Sequence, residues 1–170
     1  RIEIDIYNMM QDTAEIFAER AANMDYADFV EDVMGRLSMD VDFDEEFFNK
    51  ATTEKLAEAL FENMKSTYAR RLESISQRAF PVIKQVYETQ GNRYVNIAIP
   101  ITDGRRMLNL SAKLQKAYEN GGKEIGKALS KTIVLFEIDR HWKEHLREMD
   151  DLKKSVQNAS YEQKDPLVIF

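Results

Sequence analysis

Two histidines one helical turn apart are the first residues here whose type and spacing could do chemistry. They lie in DRHWKEHLREMDDL (139–152), where His141, Glu144 and His145 spell H-x-x-E-H, the pattern of one class of zinc peptidases. A catalytic zinc needs a third protein ligand and an open position for water. The chain has only these two histidines, so the third ligand would be a distant carboxylate. Asp40, Asp42 and Asp44 resemble the opening of a calcium loop, but Glu45 stands where that loop needs glycine and Ala51 where it needs a bidentate glutamate. The stretch reads instead as a solvated helix start. GGKEIGK (121–127) is no phosphate loop, because its glycines and lysine have the wrong spacing and no strand precedes it.

The elements that carry these residues are mainly helical. Ile6, Met9, Met10, Ala14, Phe17 and Ala21 recur at helical spacing and predict a helix over residues 4–22. MDYADFVEDVMGRL predicts a second, closed near Gly35. Thr52 or Thr53 can cap a third that carries Leu56, Leu60, Phe61, Met64, Tyr68, Leu72 and Ile75 and runs to about Phe80, where Pro81 ends or kinks it. The period then changes. Val95, Ile97 and Ile99 alternate with Tyr94, Asn96 and Ala98, and Asp103-Gly104 offers a turn before Met107, Leu108 and Leu110, which predicts one β-hairpin near 93–110. SAKLQKAYEN predicts a short helix stopped by Gly121-Gly122.

The last helix is the longest. Leu135, Ile138, Trp142, His145, Met149, Leu152 and Val156 recur every three and four residues, a heptad stripe. Asp139 with Lys143, Arg140 with Glu144, and Arg147 with Asp151 stand at i,i+4 with opposite charge. His145 falls inside the apolar stripe and His141 outside it, which favours a packed helix over a metal site. Asn158 and Ser160 are turn formers and Pro166 disfavours a helical Asp165, so a turn is expected there with Tyr161 at its tip.

Composition narrows the function further. At 170 residues the chain can bury a core. It has no cysteine, hence no disulfide and no thiolate metal site. No apolar run reaches the roughly 18 residues of a membrane span. The net charge of −6 argues against nucleic acid as a partner. Arg1 sits inside a helical pattern and the last four residues, LVIF, are all apolar, so both ends are expected to be cut from a longer polypeptide.

Residues 135–166, LFEIDRHWKEHLREMDDLKKSVQNASYEQKDP, resemble the scaffold segment of the SecA family, the motor ATPases that drive preproteins through the bacterial SecYEG channel. The family pattern D-x-x-W-x-x-H-L-x-x-M-D-x-L, then a loop tyrosine and Q-K-D-P, is met by Asp139, Trp142, His145, Leu146, Met149, Asp150, Leu152, Tyr161 and residues 163–166. His141 falls on a variable position, so H-x-x-E-H is an accident of one residue. The approach to Tyr161, Val156-Gln157-Asn158-Ala159-Ser160, lacks the glycine and arginine that many members carry.

The resemblance implies a mainly α fold of long amphipathic helices, with an inserted helical wing and one small β-hairpin. Residues 1–22 would end a scaffold helix, 23–122 would be the wing, and 123–170 the scaffold with the first arm and loop of a two-helix finger. It implies a non-catalytic role, coupling ATP-driven motion to the movement of secretory polypeptides, with no cofactor here and ATP with magnesium in the parent. The implied partners are the preprotein, the SecYEG channel and the motor domains of the same chain. The implied location is cytoplasmic, peripheral to the inner membrane. By the same resemblance Tyr161 would contact substrate, and Trp142, His145, Met149 and Leu152 would couple finger to scaffold, with no metal and no catalytic residue. A helical adaptor that binds a partner helix through the 135–156 stripe and the zinc peptidase are the rival readings.

Overall fold

The computed structural model of the chain describes residues 1–102 and 107–161, with side chains of 1–102, 107–135 and 143–157. The chain forms two compact units, Arg1–Lys131 and Thr132–Phe170. In order, the described elements are α1 (Ile2–Ala21), α2 (Tyr26–Leu37), α3 (Glu45–Lys50), α4 (Thr53–Gln90), β1 (Asn96–Thr102), β2 (Met107–Lys113), α5 (Leu114–Glu119) and α6 (Lys123–Tyr161). The fold is mainly α with one antiparallel pair of strands, as the periodicities predict. No helix among the described residues is long and apolar enough to cross a membrane.

Side-chain caps set three of the helix starts in the first unit, those of α2, α3 and α4. Asp25, Asp44 and Thr52 each accept a hydrogen bond from the backbone N–H three residues on, satisfying donors that a helix start leaves open. The calcium-like acids are part of this arrangement: Asp44 is the N-cap of α3. The irregular run before it, residues 38–44, is held by its carbonyls. Asn63 Nδ2 donates to the Asp40 carbonyl at 3.1 Å, Tyr26 Oη to that of Phe43 at 2.7 Å, and Arg71 to that of Ser38.

α4 carries the unit, and its two ends serve different cores. Its first half, through Leu56 and Leu60, joins Phe17 of α1, Phe29 and Val33 of α2 and Phe48 of α3. This core is aromatic: the Phe29 ring lies 5.1 Å from Phe48 and 6.0 Å from Phe43, within the range of favourable ring pairs. The second half, through Ala79 and Ile83, joins Ile97, Leu110, Leu114, Ala117 and Ile125 in an aliphatic core. Between the cores α4 buries polar side chains instead, Asn63, Thr67 and Ser76. α1 and α2 are tied by Asp32, which takes Arg20 at 3.1 Å and Arg36 at 2.8 Å.

Several local expectations are corrected. α2 runs past Gly35 to Leu37, and Ser38, not a glycine, takes the left-handed closing position at φ 53°. Leu37 packs on the first core, and that burial outweighs the local glycine signal. Met9 of α1 lies exposed while Ile6, Ala14 and Phe17 are buried, because a 100° step places it on the flank. α4 continues through Pro81 to Gln90. A proline inside a helix costs about 3 kcal/mol through one lost hydrogen bond and a clash, yet Ala79 and Ile83 on either side are buried and hold the helix in place. The hairpin strands run on to Lys113, so the short helix starts at Leu114 rather than Ser111. The correction at the end of α6 belongs with the site below.

The hairpin pairs Asn96 with Lys113 through to Thr102 with Met107. Ile97 is buried, Ile99 half-buried and Ala98 exposed, as the alternation predicts, but Val95, expected on the same face, precedes the strand and is 74% exposed. The expected Asp103-Gly104 turn lies outside the described residues. Leu114 N–H donates to the Val95 carbonyl, which fixes the ladder phase and places Pro100, paired with Asn109, at a non-hydrogen-bonded position. Its missing donor therefore faces the open edge, where a proline costs the ladder nothing.

Candidate functional site

α6 carries every residue that the sequence singles out as a candidate site. It is a 39-residue helix from Lys123 to Tyr161, and the division between the two units falls within it, after Lys131. At 1.5 Å per residue, the part from Thr132 to Tyr161 is about 45 Å long. Its backbone is helical through Asn158, Ala159 and Ser160 to Tyr161, so the turn expected at Asn158 and Ser160 is corrected. Both residues are tolerated in the last turn of a helix, and the restriction from Pro166 acts on Asp165 alone. Tyr161 is the last residue whose backbone is described; its side chain, and residues 162–170, lie outside the described residues.

The heptad spacing puts Leu135, His145, Met149, Leu152 and Val156 on one helical face, with Trp142 and Ile138 in the same register but their side chains outside the described residues. Leu135 and Met149 are exposed, 55% and 52%, while Leu152 and Val156 are half-buried. Leu146, 46% exposed, lies one turn on from Trp142 and widens the stripe. Sequence reasoning left it out of the stripe, although its i+4 spacing from Trp142 was legible. The flank is mixed in charge, with Lys143, Glu144, Arg147, Glu148, Asp150 and Asp151. Among the described residues no group of three or more His, Cys, Asp or Glu could hold a metal ion; His141 has its side chain outside them. The described side chains of this face offer apolar and mixed-charge contact, the chemistry of a surface that packs against another.

A second cluster, inside the first unit, was missed. The Tyr68 hydroxyl of α4 bonds the hydroxyl of Ser130 on α6, and Ser130 Oγ donates to the Gly126 carbonyl at 3.0 Å. Ser130 is buried. Burial pushes the Tyr68 phenol above its ordinary value near 10, with Tyr7 and Glu3 adding in the same direction and the Ser130 bond opposing. Below it, Gly122 has φ +88°, and a Cβ there would meet the Ser76 carbonyl oxygen at 2.7 Å. At Gly126 the nearest atom to a Cβ would be Leu72 Cδ2 at 3.6 Å, ordinary contact. The signal was present as small residues four apart, Gly122, Gly126 and Ser130, the spacing that lets one helix lie close on another.

With this geometry in view, the comparisons with known proteins agree. The family model for the SecA Wing and Scaffold domain matches residues 1–170. The protein translocase subunit SecA of Parabacteroides distasonis is 50% identical over 170 residues, and that of Phocaeicola vulgatus 51%. The one from Porphyromonas gingivalis is 43% identical over 171 residues. Each alignment covers 100% of this chain and 15% of the relative, so the chain spans about a seventh of the length of the curated relatives it matches. No solved structure gives a significant match. With a family match over every residue and relatives near 50% identity over the full span, the chain belongs to the SecA wing and scaffold family.

Proposed function

We propose that this chain is the wing and scaffold part of a SecA-type preprotein translocase, a mechanical element with no catalytic group of its own. In this reading ATP is hydrolysed, with magnesium, by motor domains elsewhere in the same polypeptide. Residues 1–22 end a scaffold helix, 23–122 form the wing, and 123–170 form the scaffold with the first arm of a two-helix finger. The observation that carries the reading is the family match across all 170 residues, together with relatives named as protein translocase subunits. It favours neither the helical adaptor nor the zinc peptidase.

The chemistry of α6 suits the role. A long helix with an apolar stripe can dock on a neighbouring element and move with it as a rod, since helices transmit displacement without changing their hydrogen bonds. Trp142, His145, Met149 and Leu152 are the residues assigned to that docking. Tyr161 is assigned to the translocating polypeptide, because an aromatic ring makes apolar and stacking contacts with unlike side chains. The partners in this reading are the preprotein, the SecYEG channel and the motor domains, with the protein on the cytoplasmic side, peripheral to the inner membrane.

The test uses the full-length parent with Leu146→Glu and Met149→Glu together. Both side chains are exposed, so folding should survive. Expected is a loss of polypeptide transport of about tenfold or more, with basal ATP hydrolysis retained, as for two charges placed in a desolvated interface. Transport at the parent rate would sink the coupling role of the stripe.

A further inference from the structure

We propose that Tyr68 is a conformational latch on α6: seated on Ser130, its hydroxyl fixes the helical turn just before the division between the two units, and its release frees that turn. A serine hydroxyl has one proton, and that of Ser130 lies on the Gly126 carbonyl. The Tyr68 phenol therefore supplies the proton for the bond it shares with Ser130. With both bonds made at once, donation runs from Tyr68 on α4 to Ser130 to the Gly126 carbonyl.

What this chain holds is a helical turn with a competing acceptor. A serine that bonds back to the i−4 carbonyl shares that oxygen with the helix's own amide and favours a bend at the turn. Ser130 is buried, and among the described residues it is Tyr68 that reaches its hydroxyl from another element. The glycines before it are placed differently, Gly122 by a close backbone approach and Gly126 by side-chain contact. The Ser76 carbonyl lies where a Gly122 Cβ would be, and Leu72 packs over Gly126. The next residue after Ser130, Lys131, is the last of the first unit. The bond thus falls in the last turn of α6 that belongs to the first unit. The inference concerns the chain's own mechanics and stands whether or not the proposed function holds.

Hydrogen exchange read by mass spectrometry tests it on the full-length parent, comparing wild type with Tyr68→Phe. The phenylalanine keeps the ring and removes only the donor. Expected is exchange about fivefold faster at amides 130–135, the size of one net hydrogen bond expressed as local opening, with amides 56–64 of the first core unchanged. The control is Gly126→Ala, whose Cβ makes only ordinary contacts and which keeps both hydroxyls; it should speed exchange in neither window, since alanine favours a helix over glycine by about 1 kcal/mol. Unaltered exchange at 130–135 in Tyr68→Phe would overturn the latch. So would faster exchange spread evenly over the first unit, which would make Tyr68 an ordinary stability residue, or acceleration at 130–135 by Gly126→Ala as well.

Discussion

α4 and α6 are nearly equal in length, 38 and 39 residues, yet their sequences are used in opposite ways. α4 buries seven side chains from Leu56 to Ile83 and is explained by what it touches within its own unit. α6 is buried at Ile125, Ser130 and Val134, while beyond them Leu135, Leu146 and Met149 lie exposed. The segment that carries the family resemblance is therefore the one that the chain's own core explains least. Among the described side chains beyond the first unit, exposed Leu135, Leu146 and Met149 are what supports the docking role proposed for α6. α4 shows what a self-sufficient helix of the same length looks like.

If that contrast is right, substitutions in the α4 core should cost far more stability than those on the α6 stripe. Phe29 is fully buried among rings of the first core, so Phe29→Ala should lower the unfolding free energy of the 170-residue chain by about 3–5 kcal/mol. Urea unfolding followed by circular dichroism reads it. A loss under about 1 kcal/mol would mean that the aromatic core is not what holds α4. Next in size is Gly122→Ala. Both its positive φ and the Ser76 carbonyl at 2.7 Å oppose a side chain, so about 1–3 kcal/mol should be lost, whereas Gly126→Ala, inside a helix with only ordinary contacts, should be neutral or stabilise by up to about 1 kcal/mol. Equal effects at the two glycines would contradict the close approach drawn at Gly122.

Thr52→Ala removes the N-cap of α4, whose Oγ accepts from Lys55 N–H at 3.2 Å, and should cost about 1 kcal/mol, recovered largely by Thr52→Asp. Tyr68 adds a dependence on pH. Its folded value is raised by burial, so the folded state holds the proton more tightly than the unfolded chain. The stability this gives is complete below the ordinary tyrosine value and is lost as pH rises through the folded one. Denaturation midpoints measured upward from pH about 9 should fall less steeply in Tyr68→Phe than in wild type. The smallest effect is expected from Met149→Ala: within about 0.5 kcal/mol in the isolated chain, since the side chain is half in solvent.

How far all this was legible in the sequence follows from how local each cause is. Caps are local, and Thr52 was readable because a threonine before an apolar-periodic run has one good use. The hairpin was readable from the change of period, and Ile97 falls on the buried face as its alternation requires. Breakers were read less well. Gly35 and Pro81 carry strong local signals, but Leu37 and Ile83 are recruited to cores built from distant elements, and a propensity of a few kcal/mol yields to such burial. The Tyr68–Ser130 pair was invisible because the two residues are 62 positions apart; only the four-residue spacing of Gly122, Gly126 and Ser130 hinted at it. The stripe of α6 was the most legible feature of all, since a heptad repeat needs no knowledge of the partner.

In the function proposed above, Tyr161 of α6 meets the moving polypeptide. The most direct test places a photo-crosslinking residue at position 161 of the full-length parent, with a control at position 141, and stalls a preprotein during ATP-driven transport. The account predicts that position 161 labels the preprotein and position 141 does not. Equal labelling from both positions, or none from 161, would contradict it.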